Sequence, residues 1–141
     1  MVVREAAQRA MPPTMESRMN NLTDLIDRYI AMWNETDGER RREIIARVWT
    51  RNASYVDPVL QGEGAAEIDA MVTSVQQRFP GHKFRRTSAV DVHHDRVRFG
   101  WELGPDVGDP VVVGTDFGVV VGGERLQAIT GFFDRVAQPA E

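Results

Sequence analysis

The chain contains no cysteine, which excludes disulfide frameworks, thiolate metal sites and cysteine nucleophiles together and is compatible with a reducing compartment. It also lacks any apolar run approaching the roughly 20 residues of a membrane-spanning helix, and Met1-Val2-Val3-Arg4-Glu5-Ala6 has no apolar centre of the kind a secretion signal needs. A soluble, cytoplasmic protein is the expectation. There is no surplus of positive charge either. The formal net charge is -4, and the basic residues are scattered apart from Arg40-Arg41-Arg42 and Arg85-Arg86, so the broad positive field that nucleic acid requires is missing. Neither an internal repeat nor a low-complexity segment interrupts the chain. What is present is 141 residues, 42% of them hydrophobic, enough for one globular domain to bury a core without crosslinks or structural metal. Small molecules or protein partners are the expected ligands, with no role for nucleic acid or membrane.

Residues 1 to about 20 carry Pro12-Pro13 and mixed polar side chains without sustained periodicity. They read as a flexible arm, within which Met15 or Met19 could be the start, and the domain is placed at 21–137. Asn21 is the expected N-cap of a first helix running to about Glu35, with Leu22, Leu25, Ile26, Tyr29, Ile30 and Trp33 on one face. Asp37 is expected to cap a second helix that buries Ile44, Ile45, Val48 and Trp49 and leaves Arg40-Arg41-Arg42 as a solvated face. Gly62-Glu63-Gly64 reads as a loop before a third helix, where Ile68, Met71, Val72, Val75 and Phe79 repeat until Pro80-Gly81 stops it. From Lys83 the period changes from helical to alternating. Phe84, Arg86, Ser88, Val90 and Val92 share a face of one strand, His94-Asp95 turns the chain, and Val97, Phe99, Trp101 and Leu103 share a face of the next. A loop over Gly104 to Pro110, a strand from Val111 to Val121, a Gly122-Gly123 hairpin and a last strand from Arg125 to about Val136 complete the order. Helices first and an antiparallel meander afterwards make an α+β arrangement.

Tyr55-Val56-Asp57-Pro58-Val59 puts an acid at the end of a short apolar strand, with a proline to stop it. Flanked by Val56 and Val59, Asp57 is expected to face an apolar cavity, where desolvation makes a carboxylate a usable proton acceptor. The competing reading is a turn cap, since Asp-Pro commonly starts turns. A second lone acid, Asp116, shares its strand face with Val112, Gly114, Gly118 and Val120. It is either a desolvated acid or half of a buried ion pair with Arg98 or another strand arginine. Tyr29 is either a core aromatic or a pocket hydroxyl. His93 and His94 are adjacent, so on a strand they point to opposite faces, which argues against a metal site.

Four stretches together resemble the nuclear transport factor 2-like superfamily, which includes ketosteroid isomerase and the SnoaL-like polyketide cyclases. They are Asp27-Arg28-Tyr29-Ile30-Ala31-Met32-Trp33-Asn34, Ala53-Ser54-Tyr55-Val56-Asp57-Pro58-Val59, Val111-Val112-Val113-Gly114-Thr115-Asp116-Phe117 and Ile129-Thr130-Gly131-Phe132-Phe133-Asp134. The resemblance spans about Leu22 to Val136 and implies a cone-shaped, cystatin-like fold, with three N-terminal helices packed on a strongly curved, mostly antiparallel sheet. In the ketosteroid isomerase branch a tyrosine of the first helix and a protonated aspartic acid of the penultimate strand donate to a developing oxyanion, while the aspartate of an Asp-Pro motif moves the proton. Those positions are similar to Tyr29, Asp116 and Asp57. The resemblance further implies a cofactor-free homodimer whose pocket holds a hydrophobic small molecule against Trp33, Tyr55, His93, Trp101 and Phe132. Val111, Val113 and Phe117 on the second sheet face suit dimerisation.

The same resemblance carries departures. Gly114-Thr115 and Phe117-Gly118 around the strand acid differ from the isomerase pattern, so steroid specificity does not follow. Arg98-Phe99-Gly100 lacks the acid of the Arg-x-Asp pair by which an epoxide hydrolase branch activates water. Because the superfamily also includes members that only bind, the alternatives to an isomerase or cyclase are a binding protein for a hydrophobic ligand and a protein-interaction module of the same fold.

Overall fold

The computed structural model describes residues 14–138. Helix α1 spans Met15–Asn34 and presents Leu22, Leu25, Ile26, Tyr29, Ile30 and Trp33 to the core, as their spacing requires. It starts earlier than the expected Asn21, because the Thr14 hydroxyl accepts from the Ser17 N–H at 3.1 Å and supplies the cap. Glu16 in the first turn suits the helix dipole, and Arg18 donates to the His94 carbonyl, tying the added turns to the sheet. The expected arm is therefore helical from Met15 onward, and its residues 1–13 lie outside the described residues.

Helix α2, Gly38–Val48, is capped by Asp37, whose side chain accepts from Glu39 and Arg40 N–H. One expectation for this helix fails. Arg41 is not on a solvated face but buried, donating to the Asp69 carboxylate at 2.6 Å, the Thr73 hydroxyl at 2.7 Å, Gln76 Oε1 at 3.2 Å and the Glu35 carbonyl at 2.7 Å. Asp69, Thr73 and Gln76 all sit on α3, Gly64–Arg78, so one guanidinium fork fastens α2 to α3 and to the end of α1.

Strand β1 is Trp49–Val56, and a short edge strand β2, Gln61–Glu63, stands where a loop was expected. The expected long strand after Lys83 divides into β3, Lys83–Arg86, and β4, Asp91–His93. Between them Thr87 and Ser88 bond to Gly100 of the neighbouring strand, through Thr87 N–H to the Gly100 carbonyl at 2.9 Å and Gly100 N–H to Ser88 Oγ at 2.8 Å. A Cβ at Gly100 would lie 2.7 Å from Thr87 Oγ1, so this crossing depends on glycine. Strands β5, Arg96–Gly104, β6, Val112–Val121, and β7, Arg125–Val136, follow. The sheet runs β2-β1-β7-β6-β5-β3, with β4 also on β5. Every pairing is antiparallel except β1 with β7. Register shifts between β1 and β7, and twice between β6 and β7, add the curvature that lets one face close around the helices. The core formed there draws on all three helices and the inner positions of every long strand. Among the described residues no helix is long and apolar enough to cross a membrane.

Candidate active site

Asp57 follows directly on β1, where Pro58 forbids a further ladder bond. Its Oδ1 accepts from the N–H groups of Val59 and Leu60, both at 2.7 Å, and its own N–H donates to the Leu60 carbonyl at 2.9 Å. Oδ2 accepts from the Tyr55 hydroxyl at 2.7 Å. This carboxylate caps a turn and also lines a cavity. Three donors fix its orientation and leave lone-pair capacity on Oδ2.

The cavity measures about 220 Å³, roughly the volume of seven waters. Trp33, Tyr55, Phe84, Trp101 and Phe133 give it an aromatic wall, with ring centroids 5.5 Å apart for Trp33–Tyr55, 5.0 Å for Trp33–Phe84 and 5.6 Å for Phe84–Trp101. Phe84 is held in place by Asn34, the last residue of α1, whose amide donates to the Phe84 carbonyl at 2.9 Å and accepts from its N–H at 2.8 Å. Leu60, Val75, Phe79, Leu103 and Val112 extend the apolar lining. The charged residues of the lining are Asp57 and Arg78.

Tyr29 and Asp116 meet behind this aromatic layer. The Tyr29 hydroxyl donates to Asp116 Oδ2 at 2.9 Å, and the Trp101 indole N–H donates to Asp116 Oδ1 at 2.8 Å. Asp116 is 2% exposed, and Arg98, its suggested partner, pairs instead with Asp91. Arg98 lies on the outer face of β5, whereas Asp116 points inward from β6. Burial raises the Asp116 pKa to about 7, against the opposing pull of its Tyr29 and Trp101 donors and with a small further rise from the Asp57 charge. Burial likewise pushes the Tyr29 and Tyr55 hydroxyls well above the ordinary tyrosine value, helped in each case by the negative charge of Asp116. A void of about 10 Å³ lies among Tyr29, Ile30, Trp33, Tyr55, Phe84, Trp101 and Asp116, and four of these aromatic residues also line the larger cavity, so the two spaces are neighbours.

Two glycines make the arrangement fit. A Cβ at Gly114 would lie 2.3 Å from Trp101 Cζ2, so the indole crosses β6 over bare backbone to reach Asp116. At Gly131 a Cβ would lie 2.9 Å from Asp116 Oδ1, 3.2 Å from Asp57 Cβ and 3.4 Å from the Tyr55 hydroxyl. The two acids and Tyr55 thus surround one vacant side-chain position on β7.

Six of the eight residues singled out from the sequence converge: Tyr29, Trp33, Tyr55, Asp57, Trp101 and Asp116. Two do not. His93 is exposed beside the β4–β5 turn, its Nδ1 3.2 Å from His94 Nδ1, because β4 lies at the margin of the sheet, beyond the cavity. Phe132 is 53% exposed on the outer face, packed against Phe117 with centroids 5.8 Å apart. Its neighbour Phe133 lines the cavity, in step with the buried Ile129 and Gly131. Counting alternate positions onward from Ile129 would have selected Phe133. Phe79, Phe84 and Arg78 were also missed as lining residues, although Phe79 and Phe84 flank the Pro80-Gly81 break between α3 and β3. Among the described residues no cluster of three or more metal-binding side chains is present.

No protein-family model matches the chain, and no curated protein matches its sequence. Solved structures do. A protein of the SnoaL-like family from Agrobacterium tumefaciens is 38% identical, with a TM-score of 0.77 over 82% of this chain and 99% of that one. A SnoaL-like protein from Jannaschia sp. CCS1 is 17% identical, with a TM-score of 0.67 over 89% of this chain and 92% of that one. A protein of cystatin-like fold from Nostoc punctiforme is 11% identical, with a TM-score of 0.64 over 88% and 96%. The last two agree in fold alone.

Proposed function

The chain belongs to the SnoaL-like family of the nuclear transport factor 2-like superfamily, and from that premise we propose that its cone is a small-molecule site where Asp57 moves a proton next to a carbonyl. The observation that carries this reading is a carboxylate held by three donors at the edge of an apolar cavity, one side chain's width from a buried acid that titrates near neutrality. Asp57 Oδ2 takes the proton from the carbon beside the carbonyl, and Tyr55 is the positioning residue that aims it. Negative charge then develops on the carbonyl oxygen. The void beside Tyr29 and Asp116 is sized for one such atom. With Asp116 protonated, its O–H and the Tyr29 hydroxyl turn to donate to that oxygen, while the surrounding rings exclude water that would weaken both bonds. Returning the proton to a different carbon gives an isomerisation; attack of the enolate on a second carbonyl of the same molecule gives a cyclisation. The reading uses no cofactor or metal.

The test is deuterium incorporation at the α-carbon of small enones and β-diketones in D₂O, followed by NMR for the native chain and D57N. Loss of protein-dependent exchange in D57N is the expected result, and equal exchange by both proteins removes Asp57 from the chemistry. A second reading, a non-catalytic binding protein, draws on the fact that Tyr29, Trp101 and Asp116 already satisfy one another behind the ring layer. Tight binding of a probe that neither protein exchanges would favour it. For the assembled state we propose a homodimer through the outer sheet face around Phe117 and Phe132.

A further inference from the structure

We infer that the molecule bound in this cavity carries an anionic group, a carboxylate, which Arg78 receives, so that the substrate class is a small apolar carbonyl acid. This rests on the reading of the cavity as a small-molecule site. Arg78 is the last residue of α3, and Ser74, one turn earlier on the same helix, lines the cavity with it. Arg78 is exposed, and among the described residues its guanidinium makes no ion pair and no hydrogen bond, as holds also for Arg28, Arg47, Arg51 and Arg135; of these five, Arg78 is the one that borders the cavity. Its placement near the C-terminal end of a helix suits the dipole of α3, but that is satisfied by any direction of the side chain and does not call for one bordering an apolar cavity.

Asp57 and Arg78 are the two charged members of that lining, yet they form no ion pair with each other. A guanidinium placed there merely to neutralise Asp57 would pair with it. Opposite charges separated by an apolar lining instead match a ligand with two ends: a carbon acid set against Asp57, and an anion set in the fork of Arg78. The cation also answers an electrostatic problem. An anionic ligand beside the negative Asp57 is repelled, more strongly as water leaves the cavity, and a cation elsewhere on the lining offsets that repulsion. The Ser74 hydroxyl donates to the Met71 carbonyl at 2.8 Å and so offers acceptor lone pairs, which makes Arg78 the anion receptor of the pair. The volume of about 220 Å³ accommodates roughly ten non-hydrogen atoms, so the ligand is a one-ring or short-chain acid, and a larger skeleton would project from the mouth.

The test compares hydrocinnamate with its neutral counterpart of equal size, hydrocinnamide, by titrating the fluorescence of the native protein, in which Trp33 and Trp101 line the cavity. Native protein is expected to prefer hydrocinnamate by roughly tenfold, the increment of a charge-assisted pair at a partly solvated site. In R78Q that preference falls to about unity; R78K, which keeps the charge without the fork, retains part of it; and D57N strengthens it by removing the repelling charge. Equal affinity of the native protein for both probes, or a preference that survives in R78Q, overturns the assignment and leaves the small-molecule reading standing. Failure of both probes to bind overturns the cavity reading and the inference with it.

Discussion

Replacing Asp116 with Asn tests whether the buried acid is neutral in the folded protein. Between an ordinary value of 3.8 and the folded value of about 7, the native state holds a proton that the unfolded chain has released. Stability therefore declines as pH rises across that interval, because the folded form binds more protons than the unfolded one. At about 1.36 kcal/mol for each pH unit, the fall amounts to about 4 kcal/mol, complete above pH 7 and absent below pH 4. Asparagine is isosteric with the protonated acid. Its carbonyl can accept from Trp101 as Asp116 Oδ1 does, and its amide faces the Tyr29 hydroxyl, which can accept. D116N should thus differ little from the native chain near pH 4 and become the more stable protein by several kcal/mol at pH 8, a large part of the stability typical of a domain this size. Urea denaturation monitored by tryptophan fluorescence, run for both proteins from pH 4 to pH 9, isolates the contribution, since all other titrating groups are common to the pair. Two stability curves that run parallel over the whole range would refute the reasoning, because they would mean that Asp116 ionises alike in the folded and unfolded chains.

Exchange catalysis by the native protein should fall as pH rises through about 7, the Asp116 value, since the ionised acid no longer donates to an enolate oxygen; a pH–rate profile flat to pH 9 would contradict that role. Y55F removes the hydroxyl that orients Asp57 Oδ2 and should lower the exchange rate by roughly 10- to 100-fold with little change in KM; an unchanged rate would show that the turn N–H groups suffice. Gly131→Ala places a methyl 2.9 Å from Asp116 Oδ1 and 3.2 Å from Asp57 Cβ, and should cost about 1–3 kcal/mol in denaturant unfolding. Arg41→Ala leaves Asp69 without its principal partner in the α2–α3 junction and should cost about 3–5 kcal/mol, read as a large drop in thermal midpoint; a loss below 1 kcal/mol would mark the network as dispensable. Phe132→Asp on the outer face should shift the proposed dimer to monomer in light scattering, and a native protein that is already monomeric would dispose of the dimer.

Much of the fold was legible because periodicity survives folding when an element buries one face. The alternation Val112, Gly114, Asp116, Gly118, Val120 is buried at every position, and Val97, Phe99, Trp101, Leu103 likewise. Several of the mistakes share a cause, in that they rest on contacts made far along the chain. Arg41 looks like one of three equivalent surface arginines until Asp69, Thr73 and Gln76 arrive from α3. The strand after Lys83 breaks because Gly100, on the neighbouring strand, bonds to Thr87 and Ser88. Phe132 and Phe133 are both aromatic, and the register shift between Val119 and Val120 in the β6–β7 ladder upsets parity counted from the start of β7, so the wrong one of the two is selected. Within the site, residue types were readable but their depth was not. That Tyr29 and Asp116 sit behind a ring layer, with Asp57 in front of it, depends on how Trp33, Tyr55, Phe84 and Trp101 pack in three dimensions.

The most direct measurement is a crystal structure of the protein with an unreactive small ketone or enol analogue. The account predicts electron density inside the aromatic wall, with the ligand's α-carbon against Asp57 Oδ2 and its oxygen directed between Trp33 and Trp101 toward Tyr29 and Asp116. A ligand bound instead on the outer face beside Phe117 and Phe132, or an occupied cavity with the oxygen pointing away from both acids, would contradict it.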